Sequence, residues 1–147
     1  MITVKQILDG KGRQAWTIGP DVKVFDALKL MAEKEIGALV VVEDGRVVGI
    51  LSERDYARKI ALMGRVSQDT PIKDIMTTQV YGIHPGASAE ECLALMTDRR
   101  IRHLPVLEKD HLAGVISIGD VVKAVISGQN VTIQQLENYI MGRDNPR

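Results

Sequence analysis

Apolar and polar positions alternate along the chain with two periods, and the same succession occurs twice. Ala27, Leu28, Leu30 and Met31 have the spacing of one helix face, and Cys92, Leu93, Leu95 and Met96 repeat it downstream. Ser88 followed by Glu91 has the form of a capping box, which predicts the start of the second of these helices, with an end near Arg99-Arg100. Gly37 offers a stop for the first. The period then shortens: Leu39-Val40-Val41-Val42 and Val47-Val48-Gly49-Ile50-Leu51 are β-rich runs around Glu43-Asp44-Gly45-Arg46, and Asp-Gly is a strong signal for a hairpin turn. Glu108-Lys109-Asp110-His111 is the weaker counterpart. Each hairpin feeds a Ser-x-x-Asp segment and a closing helix, predicted over Tyr56 to Met63 with a stop at Gly64, and over Val121 to Ile126 with a stop near Gly128.

The two copies align without gaps over most of their length. Val48-Gly49-Ile50-Leu51-Ser52-Glu53-Arg54-Asp55 matches Ala113-Gly114-Val115-Ile116-Ser117-Ile118-Gly119-Asp120 at an offset of 65 residues (48 to 113), and the offset also pairs Ile18 with Ile83, Pro20 with Pro85, Met31 with Met96 and Val41 with Val106. Upstream, Val4-Lys5-Gln6-Ile7-Leu8 resembles Ile72-Lys73-Asp74-Ile75-Met76 at an offset of 68, so the first copy carries three extra residues around Gly10 to Gln14. Each unit reads as β-α-β-β-α. The expected organisation is a first repeat over 1–64, a linker over 65–71, a second repeat over 72–128 and a tail over 129–147. In the tail Thr132 with Gln135 suggests a cap, and Ile133, Leu136 and Ile140 form one apolar stripe.

Composition narrows the function. With 147 residues and 45% apolar content the chain can bury a core unaided, but only 3% of it is aromatic, so aliphatic packing must carry that core. Nineteen basic and nineteen acidic residues cancel, which leaves no broad field for nucleic acid or an anionic membrane. The start, Met1-Ile2-Thr3-Val4-Lys5-Gln6, lacks the pattern of a secretory signal, and no apolar run approaches the ~18 residues of a spanning helix. The single cysteine, Cys92, precludes an intrachain disulfide and fits a reducing compartment, with the cytoplasm as the expectation. Cys92 lies on an apolar helix side, and His84 and His111 have no partner pattern, so core packing outweighs catalysis or metal binding there. The chain shows no metal-ligand spacing, no phosphate-binding P-loop and no catalytic triad.

The doubled Gly-apolar-apolar-Ser-x-x-Asp segment, together with Arg102-His103 before Leu104-Pro105-Val106 and the order of elements, resembles the cystathionine-β-synthase (CBS) domain family, in the form of the tandem pair called a Bateman module. The resemblance runs from about Val4 to Ile126. It implies an α/β (α+β) fold of two β-α-β-β-α repeats packed with pseudo-twofold symmetry into one module. It also implies a regulatory, non-catalytic role, binding of an adenine nucleotide (AMP, ADP or ATP, with NAD or S-adenosylmethionine as alternatives), homodimerisation through paired helices and control of an unidentified partner protein.

The chemistry of the segment agrees with that ligand class. A strand ends and a helix begins there, so first-turn amides and the helix dipole favour an anion. Ser52 and Ser117 can donate a hydroxyl, and ionised Asp55 and Asp120 can accept both protons of a ribose diol, while Gly49 and Gly114 would let backbone approach a ligand. A second reading stands beside it: Ser-x-x-Asp also caps a helix, stabilising it by about 1 kcal/mol with no ligand at all. Capping is the stronger reading for the serines alone, and ribose contact for the aspartates. Carried over from the family, one cleft would combine Thr17, Ile18, Ile36, Gly37 and Ala38 with Arg102, His103, Ile116, Ser117, Gly119 and Asp120. The other would combine Gly82, Ile83 and Ile101 with Leu51, Ser52, Arg54 and Asp55. Arg54 stands opposite Gly119, and Gly37-Ala38 opposite Arg102-His103, so the clefts are expected to be unequal, with the Asp120 cleft the better one. A scaffold with vestigial clefts is the rival function.

Overall fold

The structure, a computed structural model, describes residues 1–128. The predicted tail cap and stripe at Thr132, Ile133, Gln135, Leu136 and Ile140 lie outside the described residues. The chain forms two compact bodies, and these are not the two sequence repeats. Among the described residues, one comprises 14–82 and 108–113; the other comprises 1–13, 83–107 and 114–128.

In the first body, strand β1 (Thr17–Ile18) precedes helix α1 (Val24–Lys34), strands β2 (Ala38–Glu43) and β3 (Arg46–Ser52), and helix α2 (Glu53–Tyr56), which continues as a π-helical turn over Ala57–Ala61. β1 runs parallel to β2 and β2 antiparallel to β3, giving the order β1-β2-β3 with an irregularity between Val41 and Val42. The hairpin is the expected two-residue one: Glu43 pairs with Arg46, and Asp44 and Gly45 both take positive φ, 52° and 77°. Helix α1 does not stop at Gly37. Glu35 adopts the left-handed conformation at φ 54° and closes it, so a non-glycine residue makes the cap two positions early. Gly64, at φ 68°, ends the turn after Ala61 as its sequence position suggested.

The core of this body includes Val24, Met31, Leu39, Val41, Leu51 and Ile60, and also Ile72 of the 3-10 turn Ile72–Asp74, which opens the second repeat, and Ile75 just after it. That strap is stitched on by backbone bonds: Val24 N to Thr70 O at 2.8 Å, Ile72 N to Val22 O at 2.8 Å, and a two-way pair between Ile50 and Thr77 at 2.9 Å. Burying aliphatic side chains of this size contributes about 1.5–3 kcal/mol each. The strap is thus as firmly part of the first body as any strand.

The second body repeats the plan with the first repeat's leading segment. Helix α3 (Ala89–Arg99), strands β4 (His103–Glu108) and β5 (His111–Ser117), apart from their hairpin end over 108–113 that is counted with the first body, and helix α4 (Ile118–Gly128) correspond to α1, β2, β3 and α2. Ile83 bridges Val106 in parallel, the register of Ile18 with Val41 shifted by the same 65 residues. Ser88 caps α3 through the Glu91 amide at 3.1 Å, and Arg100 closes it in the left-handed conformation at φ 55°, as Glu35 does in the other body. The N-terminal helix, called αN here (Val4–Lys11), is tied on through Val4 N to Ala87 O at 2.8 Å and Ala89 N to Ile2 O at 2.8 Å, with Val4 and Leu8 fully buried. Cys92 is fully buried, and desolvation pushes its thiol up to about 11. Among the described residues no helix is long and apolar enough to cross a membrane.

Candidate functional site

The two Ser-x-x-Asp segments fold alike. In each, the strand delivers a serine in extended conformation and the next residues turn into a helix whose first orphan amides need acceptors. Ser52 Oγ accepts from the Asp55 amide at 3.2 Å, and Ser117 Oγ accepts from the Asp120 amide at 3.2 Å. Each aspartate reaches back to its serine's amide, at 3.0 Å for Asp55 and 2.8 Å for Asp120. The capping role inferred for the serines is present in both copies.

The first helical amide is also consumed in each: Glu53 N donates to Gly37 O at 3.0 Å, and Ile118 N donates to Arg102 O at 2.9 Å. This narrows the expected anion site, since capping and the preceding loop take two of the three leading amides of α4. The Gly119 amide between them makes no hydrogen bond among the described residues, and a Cβ on Gly119 would meet nothing nearer than Ser117 Oγ at 3.7 Å. Gly49 and Gly114, expected to admit a ligand, are closed instead. A Cβ at Gly49 would lie 2.6 Å from Met76 Sδ and 3.0 Å from Thr77 O, and one at Gly114 would lie 2.7 Å from Leu8 Cδ2. These glycines exist for the crossing strap of each body. The backbone open to close approach is at Gly119.

The aspartates differ sharply. Asp55 is buried, and both carboxylate oxygens are engaged: Oδ2 accepts from the Ser52 amide and from Ser52 Oγ at 3.1 Å, while Oδ1 accepts from Thr77 Oγ1 at 3.0 Å and pairs with Lys59 Nζ at 3.1 Å. Lys59 also donates to Ile75 O at 2.9 Å. Asp120 retains 24% exposure of its side chain, and its described bonds all fall on Oδ2, from the Ser117 amide and from Lys11 Nζ at 2.6 Å. Burial pushes the Asp120 carboxyl up, but Lys11 and the Ser117 backbone outweigh it and hold the group below its ordinary value.

The other expected site residues fall into place body by body. Thr17 and Ile18 form β1, Ile36 and Gly37 lie in the turn after α1, and Ala38 starts β2. Ile36 and Gly37 line a shallow open depression of about 370 Å³ with Leu28, Met31 and the carboxylates Glu35 and Glu53 at its edge. Gly82 is exposed at the end of the first body, and Arg54 is exposed on α2. In the second body Ile83 is half-buried beside β4, Ile101 and Arg102 lie between α3 and β4, and half-buried His103 starts β4. Leu51 and Ile116 are fully buried, so their side chains serve the core and only their backbone could meet a ligand. Lys11, Lys59 and Thr77 were missed by sequence reading. Lys59 carried a local signal, the Asp-to-Lys i,i+4 spacing on one helix face; Thr77 and Lys11 come from distant segments and carried none.

A family model described as the CBS domain matches residues 2–62 and again 72–127. The chain belongs to the CBS-domain family. A mitochondrial CBS domain-containing protein of Arabidopsis thaliana, CBSX3, is 40% identical over 150 residues, covering 95% of this chain and 72% of the relative. A solved protein with CBS domains from Burkholderia ambifaria MC40-6 is 52% identical with a TM-score of 0.83, covering 89% of this chain and 98% of that one. The CBS domain pair of protein MJ0100, solved in complex with 5′-methylthioadenosine and S-adenosyl-L-methionine, is 23% identical with a TM-score of 0.76 over 88% of this chain and 98% of that one, a likeness of fold alone. CBS pairs are generally regulatory ligand-binding modules and not catalysts.

Proposed function

We propose that this CBS pair is a regulatory module that binds an adenine nucleotide, AMP, ADP or ATP, with NAD or S-adenosylmethionine as alternatives, and that Asp120 is its ribose acceptor. The observation that carries the proposal is the contrast between the two aspartates: Asp55 spends both oxygens on its own body, whereas Asp120 keeps exposed surface beside the open Gly119 backbone. The exposed Arg102, whose carbonyl anchors the first amide of α4, would offer a guanidinium to a phosphate, with the His103 imidazole beside it in sequence as a further hydrogen-bonding group. The adenosine-containing ligands of the MJ0100 pair are of the same class.

Occupancy would be transmitted through packing against a second copy or a regulated protein, because a ligand that binds two states unequally shifts their populations. A homodimer is part of the proposal, and a monomeric mass by light scattering at micromolar concentration would reject it. For Asp55 the rival reading, a helix cap in a ligand-independent scaffold, is supported by its saturated carboxylate.

Thermal denaturation with AMP, ADP, ATP, NAD and S-adenosylmethionine tests the proposal. At ~100 times its Kd the true ligand adds about 2.7 kcal/mol of stability. Absence of a shift with all five would favour the scaffold. In calorimetry Asp120→Asn is expected to cost on the order of tenfold in affinity, as one charge-assisted contact is worth, and Asp55→Asn much less. Equal losses would reject the assignment to Asp120.

A further inference from the structure

We propose that Lys11 is a latch on Asp120, and that a ribonucleotide gains both oxygens of this carboxylate only by displacing it. The inference rests on the nucleotide reading above. A carboxylate oxygen offers two lone-pair sites. On Asp120 Oδ2 they are taken by the Ser117 amide at 2.8 Å and the Lys11 ammonium at 2.6 Å. A cis-diol that grips both oxygens of the carboxylate needs one of those sites, and the serine amide cannot leave without opening the cap of α4. The lysine is the group that can yield.

Its setting permits this. Lys11 is the last residue of αN, with Gly10 before it and Gly12 after it at φ 102°, and a Cβ on either glycine would meet nothing within 4 Å. The Lys11 side chain is 38% exposed, so a displaced ammonium returns to water at little cost. It also donates to Val115 O at 3.0 Å, which ties the end of αN to β5 as long as the latch is closed. The other copy has no such release. Lys59 sits on the same helix as Asp55, four residues on, and shares a carboxylate that is only 9% exposed with Thr77. Position 124, which corresponds to Lys59, is the buried Ala124, so the second copy draws its cation from the segment where the first copy has its three extra residues. The latch makes the end of αN a reporter of occupancy.

The test is titration calorimetry on the full chain, with Lys11→Met and Asp120→Asn beside the unaltered protein, using whichever of AMP and ATP binds more tightly and its 2′,3′-dideoxy analogue. Lys11→Met is expected to tighten the ribonucleotide roughly 2–5-fold, the worth of an exposed ion pair, and to leave the dideoxy analogue unchanged. Unchanged or weaker ribonucleotide binding by Lys11→Met, with Asp120→Asn still damaging, overturns the latch and leaves the nucleotide reading standing. Ribonucleotide affinity indifferent to Asp120→Asn, or no binding of AMP or ATP, overturns both. A ligand-free check is the Asp120 carboxyl titration by NMR, which must move upward in Lys11→Met. An unmoved carboxyl overturns the latch whatever the nucleotide does.

Discussion

Asp55 and Asp120 occupy the same place in the same motif, cap the same kind of helix and face opposite demands. Asp55 is a structural keystone that ties α2, β3, Lys59 and the Thr77 strap together through both oxygens. Asp120 makes its described bonds through Oδ2 alone and keeps 24% of its side chain exposed. The same cap stands in both copies, and the groups that reach each carboxylate set how much of it stays exposed. The largest expected effect therefore separates the two positions. Asp55→Ala strands Thr77 Oγ1 and one bond of Lys59 and should cost about 2–4 kcal/mol in urea denaturation, against about 1 kcal/mol for Asp120→Ala, which loses a partial cap and an exposed ion pair. Equal losses would erase the distinction. The pH dependence sharpens it: a carboxyl held below its ordinary value of 3.8 gives stability that is fully present above that value and is lost as pH falls through the lower, folded value. The gap in urea midpoint between the unaltered chain and Asp120→Asn should accordingly be constant near neutrality and narrow below pH 3.8.

Gly49 and Gly114 are the second matched pair. Both lie where a strap crosses β3 or β5, and both would crowd a methyl group, but against different neighbours. At Gly114 the obstacle is the end of the Leu8 side chain, which can rotate. At Gly49 it is Met76 together with the Thr77 carbonyl, which is fixed by its two-way pairing with Ile50. Overpacking of this kind costs about 1–3 kcal/mol. Gly49→Ala should fall at the upper end and Gly114→Ala at the lower, measured as urea midpoints. A larger loss at Gly114 would mean that the Leu8 side chain is held too firmly to move aside.

Much of this fold was legible because the repeat doubled every local signal. The β-rich runs, the Asp-Gly turn, the Ser88 cap, the end of α3 at Arg100 and the buried place of Cys92 all follow from period, turn chemistry or apolar facing. Three things were not legible. The end of α1 was assigned to Gly37 because glycine tolerates positive φ, yet Glu35 takes that conformation under tertiary constraint. The exchange of leading segments, αN to the second body and Ile72 to Thr77 to the first, leaves the repeat pattern untouched and so has no trace in the alignment. The glycines of the motif were read as ligand-facing, because a missing side chain looks the same whether a nucleotide or a leucine fills the space. In the site itself, the serine caps follow from residue types, whereas the unequal surroundings of the two aspartates do not. The groups that create the inequality, Lys11 and Thr77, come from the exchanged segments and could be found only in three dimensions.

The smallest contrast lies in the hairpin turns. Asp44-Gly45 and Lys109-Asp110 adopt the same pair of left-handed conformations, at φ 52° and 77° and at φ 51° and 66°. Only the first has glycine at the second position, where positive φ carries no steric penalty. Asp110 bears a Cβ there and receives no offsetting hydrogen bond among the described residues, so Asp110→Gly should relieve more native-state strain than it adds freedom to the unfolded chain, for a gain of about 0.5 kcal/mol. Gly45→Asp, the mirror exchange, should lose a similar amount. If both exchanges prove neutral in paired thermal melts, the turns are set by the flanking β-pairing and not by their own residues, and the two hairpins are more alike in energy than in sequence.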